Sequence, residues 1–61
     1  MSKINIVTLK SSQGQIRRIL VRDLGEIVLV CREEEYFNAK KERREPIVVG
    51  FRRDDIIAQT D

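Results

Sequence analysis

The side chains in this sequence best equipped for chemistry are basic. Arg17-Arg18 with Arg22, Lys40-Lys41 with Arg43-Arg44, and Arg52-Arg53 form three short clusters. If folding brings such clusters together they can neutralise phosphates, and binding then weakens steeply with salt. Arg18, Arg22, Lys40, Arg44, Arg52 and Arg53 are therefore the candidate surface for nucleic acid or another partner. Acidic residues are interleaved throughout, however, and twelve Lys and Arg against ten Asp and Glu leave a net charge of only +2. That bias is weaker than a dedicated nucleic-acid binder carries. Readers of single strands also add aromatic platforms, and Tyr36-Phe37 is the single adjacent aromatic pair.

The other chemistries lack their residues. The chain has no histidine, so the usual acid-base group near neutral pH is missing, together with the Ser-His and Cys-His nucleophile pairs. One cysteine and no histidine cannot form a zinc site of the ordinary kind. Cys31 reads as a small buried apolar residue in a strand; the competing reading is a thiol activated by Arg17 or Arg32. Glu33-Glu34-Glu35 are consecutive, so on a helix they point in different directions and do not form a cation site. Asp54-Asp55 lack calcium-loop spacing. Gly14 stands without the GK[ST] that a phosphate loop requires. No enzyme, cofactor or metal is expected.

The elements that position these residues centre on Ile16 to Arg32, which reads as a β-hairpin. Asp23-Leu24-Gly25 is the expected three-residue loop, with Asp accepting local backbone hydrogen bonds and Gly supplying a positive φ. In that register Arg22 faces Glu26, Leu20 faces Val28 and Arg18 faces Val30. On the other side Val21 faces Ile27, Ile19 faces Leu29 and Arg17 faces Cys31. The expected core face is Ile19, Val21, Ile27, Leu29 and Cys31. Leu20, Val28 and Val30 then form a second apolar face, too large to stand bare in water, that either the chain's own helix or another protein covers. The alternative is a helix with Ile16, Ile19, Leu20 and Leu24 on one side, which would give a small βαβαβ domain.

Lys3 to Leu9 alternates as a strand, after a loose Met1-Ser2. Lys10 to Gln15 reads as a polar loop. Glu33 to Arg44 is the expected short helix, acidic first and basic last as the macrodipole favours. Too short to hold alone in water, it must dock, with Tyr36 and Phe37 the natural cover for Leu20, Val28 and Val30. Pro46 ends the helix by forcing the residue before it into an extended conformation. Ile47 to Phe51 is a strand in which Gly50 suggests a bend or bulge. Arg52 to Asp55 reads as a polar turn or one turn of 3₁₀ helix, and Ile56 to Thr60 as a short last strand or helical end.

Strand, hairpin, helix, strand, short turn, strand: this order resembles small SH3-like barrels, in which a 3₁₀ turn separates the last two strands. The resemblance implies a mainly β (α+β) fold, a partly open barrel of about five strands with one inserted helix. It implies no particular function, because such barrels host unrelated roles. With 61 residues the chain is expected to be one domain near the lower size limit for independent folding, without a disulfide to help. A lone cysteine and the lack of a signal peptide point to cytoplasm, and no run is long enough for a membrane span. A small domain with surplus apolar surface reads first as a binding or assembly module acting through a protein partner or through self-association. Edge strands such as Lys3–Leu9 or Ile47–Phe51 can pair across a twofold axis.

Overall fold

The computed structural model describes residues 4–60, so the loose Met1-Ser2 and the strand start at Lys3 lie outside the described residues. Among the described residues the fold is one antiparallel sheet of five strands with one α-helix. β1 (Ile6–Ser11), β2 (Gly14–Asp23) and β3 (Ile27–Cys31) follow one another; α1 (Glu33–Glu42) connects β3 to β4 (Val49–Arg52). A turn of 3₁₀ helix over Arg53–Asp55 then leads into β5 (Ile56–Thr60). Across the sheet the order is β4-β3-β2-β1-β5. Gln15 to Leu24 is therefore strand rather than helix up to Asp23, which excludes the βαβαβ alternative. β1 is paired on both sides, leaving β4 and β5 as the edges.

Both central turns are tighter than expected. Ser11 pairs with Gly14, so the expected loop Lys10–Gln15 shrinks to Ser12-Gln13. Ser11 Oγ holds it, donating to the Gly14 carbonyl at 2.8 Å and accepting from the Gln13 N–H at 3.2 Å. In the β2–β3 hairpin the Leu24 N–H donates to the Ile27 carbonyl at 2.9 Å. The connection is thus Gly25-Glu26, one residue beyond the expected loop. Asp23 still serves as the turn's acceptor, taking the Gly25 N–H on Oδ1 at 2.8 Å. Gly25 has φ near 100°, a conformation that L side chains resist.

Moving the turn changes the register. Ile19 pairs with Cys31, Leu20 with Val30, Arg22 with Leu29 and Asp23 with Val28. Two residues of β2, Val21 and its neighbour, are accommodated where the partner strand advances by one, which is a β-bulge. Beyond the bulge every side chain of β2 changes face. This corrects the expected pairs, including Arg22 with Glu26 and Arg17 with Cys31.

The core lies on the face expected to be the contact surface. Val7, Leu9, Val28 and Val30 are fully buried and form one cluster, joined by partly buried Ile16, Leu20, Phe51 and Ile56. The cluster draws on all five strands, and Tyr36 and Phe37 are not in it. Phe37 is in fact half exposed, its ring edge-on to Tyr36 at 5.5 Å. On the opposite face Ile19 and Cys31 sit side by side and are buried. The helix meets the sheet at β2 and buries Ala39. The expected core members Val21 and Ile27 are exposed.

The helix carries Glu33, Glu34 and Glu35 in its first turn and Lys40 and Lys41 in its last, as expected from the macrodipole. It ends two residues earlier than Arg44 because Arg43 takes a left-handed conformation, φ 56°, and caps it. Arg43 is the one described non-glycine residue with positive φ.

Candidate functional site

The arginines of the expected basic surface do not share a face. Arg18 precedes the bulge and lies on the side of Val7, its partner in β1, whereas Arg22 lies with Leu29 on the opposite side. The row Arg18-Leu20-Arg22 is broken by one extra residue that no feature of the sequence marks. Arg52 pairs with Ile27 and is exposed at the hairpin end of the sheet. Lys40 is on the helix, its Nζ 5.5 Å from the centre of the Tyr36 ring.

Two of the candidate arginines are paired with carboxylates inside the chain. Arg44 donates from Nη1 to Glu35 Oε2 and from Nε to Glu42 Oε1, both at 2.6 Å. Glu35 also accepts the backbone N–H of Ile47 at 2.9 Å. One carboxylate thereby ties the first turn of α1 to the chain leading into β4. These donors, Arg44 first, hold the Glu35 carboxyl down to about 2, and the pairing raises Arg44 further. At the other end of the sheet Arg53 pairs with Asp23 and donates from Nε to the Gly25 carbonyl at 2.6 Å. The Arg53 hydrogen bond, followed by that from Gly25, keeps the Asp23 carboxyl below its ordinary range. Arg53 is a latch between the hairpin tip and the 3₁₀ turn.

Of the expected apolar contact face, Val28 and Val30 are buried within the chain and Leu20 is partly so. The apolar surface that is available lies elsewhere. Ile47 and Val49, leading into and opening β4, are 73% and 58% exposed. With Phe51 they run along one side of the chain and border a groove of about 430 Å³, also lined by Ile16, Val30 and Cys31. Arg18, Arg32 and Glu35 complete its lining. Cys31 is buried and unpaired. Burial, then the charge of Glu35, pushes its thiol up, the opposite of activation.

β4 is also the more regular of the two edges. Its four residues pair without interruption against β3, Ile27 with Arg52 through Val30 with Val49. β5 is interrupted: Thr8 pairs with Ala58 but Leu9 with Ile56, so Ile57 bulges out. The Arg53 N–H donates to the Glu26 carbonyl at 2.8 Å. In an alternating antiparallel ladder this makes Val28–Phe51 and Val30–Val49 the hydrogen-bonded pairs. Gly50 and Arg52 therefore turn their N–H and C=O groups outward, away from β3. Of the expected edge strand Ile47–Phe51, the part from Val49 is in edge strand β4, while of the expected edge strand Lys3–Leu9 the part from Ile6 is in β1, inside the sheet.

Among the described residues no three His, Cys, Asp or Glu side chains are grouped to hold a metal ion, and no helix is long and apolar enough to cross a membrane. Comparison of the chain with protein-family models, curated proteins and solved structures gives no match.

Proposed function

We propose that this chain is a small assembly module that associates with a second copy of itself through the β4 edge. The observation that carries the proposal is an open, uninterrupted edge strand bearing exposed Ile47 and Val49 beside an apolar groove. Soluble proteins usually guard such edges with lysines, bulges or a covering element. β5 has its bulge at Ile57; β4 has none. Burying Ile47 and Val49 would also add apolar area to a small core, whose buried members among the described residues are Val7, Leu9, Ile19, Val28, Val30, Cys31 and Ala39. Small domains commonly gain stability by oligomerising.

The strand order with a 3₁₀ turn between β4 and β5 supports reading the sheet as an SH3-like barrel left open between those strands. The buried free thiol of Cys31 fits a reducing compartment, and the cytoplasm is the proposed location. A nucleic-acid role draws less support, since Arg44 and Arg53 already have carboxylate partners and Arg18 and Arg22 lie on opposite faces. Labelled oligonucleotides at low salt are its test: binding weakened by Arg18→Glu would favour it. Sedimentation equilibrium from micromolar to millimolar concentration tests the main proposal. A reversible monomer–dimer equilibrium is expected, and a monomer throughout would refute it.

A further inference from the structure

The register that joins β2 to β3 brings two arginines together where it ends. Ile19 pairs with Cys31 and Leu20 with Val30; one step further along the same register sets Arg32 opposite Arg18. Arg32 keeps the extended conformation of β3, φ −69° and ψ 149°, before α1 begins. Side chains alternate along a strand, so Arg18 shares the face of Leu20 and Arg32 that of Val30. Like charges opposite one another across a ladder are destabilising. Among the described residues neither arginine has a carboxylate within salt-bridge distance to offset this. Arg18 donates from Nη1 to the Arg17 carbonyl at 2.7 Å, which leaves the rest of its guanidinium fork for another acceptor.

Both arginines line the apolar groove beside Ile47, Val49 and Phe51. Glu35, the other charged residue of the lining, is already held: its two oxygens accept from Arg44 and from the Ile47 N–H. Two positive charges and one negative leave the lining with a net charge of +1. We infer that this groove binds a small amphiphile with a single carboxylate head, the carboxylate on Arg18 and Arg32 and an acyl chain along Ile47, Val49 and Phe51. Guanidinium groups take a carboxylate through paired N–H···O bonds. The groove, about 430 Å³, falls toward the small end of small-molecule sites, roughly 300–1,000 Å³. One focus of positive charge beside apolar surface matches one head and one tail, whereas a nucleic-acid strand needs cations spaced along its backbone. A monoanion neutralises the lining; a phosphate monoester, carrying about two negative charges, exceeds it and meets Glu35. This inference goes beyond the assembly reading, since it rests on the Arg18–Arg32 pair, which the β4 edge does not include.

The test is titration of the whole chain with decanoate, below its micelle concentration, followed by amide NMR shifts. Saturable shifts at Val30, Arg32, Val49 and Phe51 are expected. Hexanoate should bind more weakly, by about two- to fourfold for each methylene removed, and neither acetate nor decanol should match decanoate. Arg18→Gln and Arg32→Gln should each weaken decanoate binding by about tenfold or more. Arg22→Gln, on the opposite face, should leave it unchanged, with circular dichroism confirming that each variant is folded. Equal binding of decanol and decanoate, undiminished binding in both groove variants, no saturable binding, or tighter binding of decyl phosphate would each overturn the assignment. Decanoate binding by a chain that sediments as a monomer throughout supports the site and refutes the assembly reading; a dimer that ignores decanoate does the reverse.

Discussion

The placement of the core on the Val28 face is open to a sharp mutational test, because Val21 and Val28 are chemically identical and differ in surroundings. Val28 is fully buried among Val7, Leu9 and Val30, whereas Val21 sits on the bulge with 37% of its surface exposed. Val28→Ala removes two methyl groups from the centre of the core. At ~0.8 kcal/mol per buried carbon the transfer loss is ~1.6 kcal/mol. The cavity left in a rigid sheet raises the total to about 2–3 kcal/mol. For a domain of this size that lowers the melting temperature by roughly 10–20 °C. Val21→Ala removes the same two groups from a partly solvated site and leaves no enclosed void, so about 1 kcal/mol or less is expected. Urea denaturation with matched m-values, run at one low protein concentration so that association does not contribute, measures both. Equal losses, or a larger loss for Val21→Ala, would show that the bulge and the face assignment are wrong.

Three further outcomes follow from particular contacts. Arg43 occupies the left-handed cap of α1, so Arg43→Gly relieves its strain and is expected to stabilise the chain by about 0.5–1 kcal/mol in the same assay; a loss of stability would contradict the cap geometry. Glu35 stays ionised in the native state down to about 2 against an ordinary 4.5, so the unfolded chain binds the extra proton and stability rises with pH across that window. Its contribution is complete above the ordinary value and disappears as pH falls through about 2, with Asp23 adding in the same direction. Glu35→Gln should flatten this acid slope in denaturation curves taken at successive pH values, and an unchanged slope would refute the role given to the Arg44 and Ile47 donors. Cys31 is buried with a raised pKa, so a thiol reagent should react slowly with native protein and rapidly in denaturant. Cys31→Ser should cost about 1–3 kcal/mol through the buried hydroxyl, and rapid labelling of the native thiol would contradict its burial.

Local chemistry was legible in the sequence wherever one residue dictates one conformation. Pro46, the Glu33–Glu35 run followed by Lys40-Lys41, and the alternation of β1 placed the helix and the strands near their observed bounds. Asp23 and Gly25 marked the hairpin, and Ile47–Phe51 the edge strand. What failed was long-range register. The extra residue at Val21 has no local signature, since a bulge there satisfies the ladder as a whole rather than any preference of valine. Because side chains alternate with period two, that one residue reversed the face of Arg22 relative to Arg18. The exchange of core face and contact face has another origin, since Leu20, Val28 and Val30 share a face in either register. Five apolar residues in a row in β3 signalled burial on both sides but could not say which side belonged to the larger cluster. The basic surface failed for a related reason: the partners of Arg44 and Arg53 come from Glu35 and Asp23, nine and thirty positions away.

The claim on which the functional account rests is that the outward groups of β4 find partners in a second copy. Amide hydrogen exchange at Gly50, followed as a function of protein concentration, measures this directly. The Phe51 and Val49 amides face β3 and should be protected at every concentration. The Gly50 amide faces the open edge, so it should exchange quickly in dilute solution and become protected as concentration rises, in step with the dimer fraction. Fast exchange at Gly50 at the highest concentration, with Phe51 and Val49 protected, would contradict pairing through this edge.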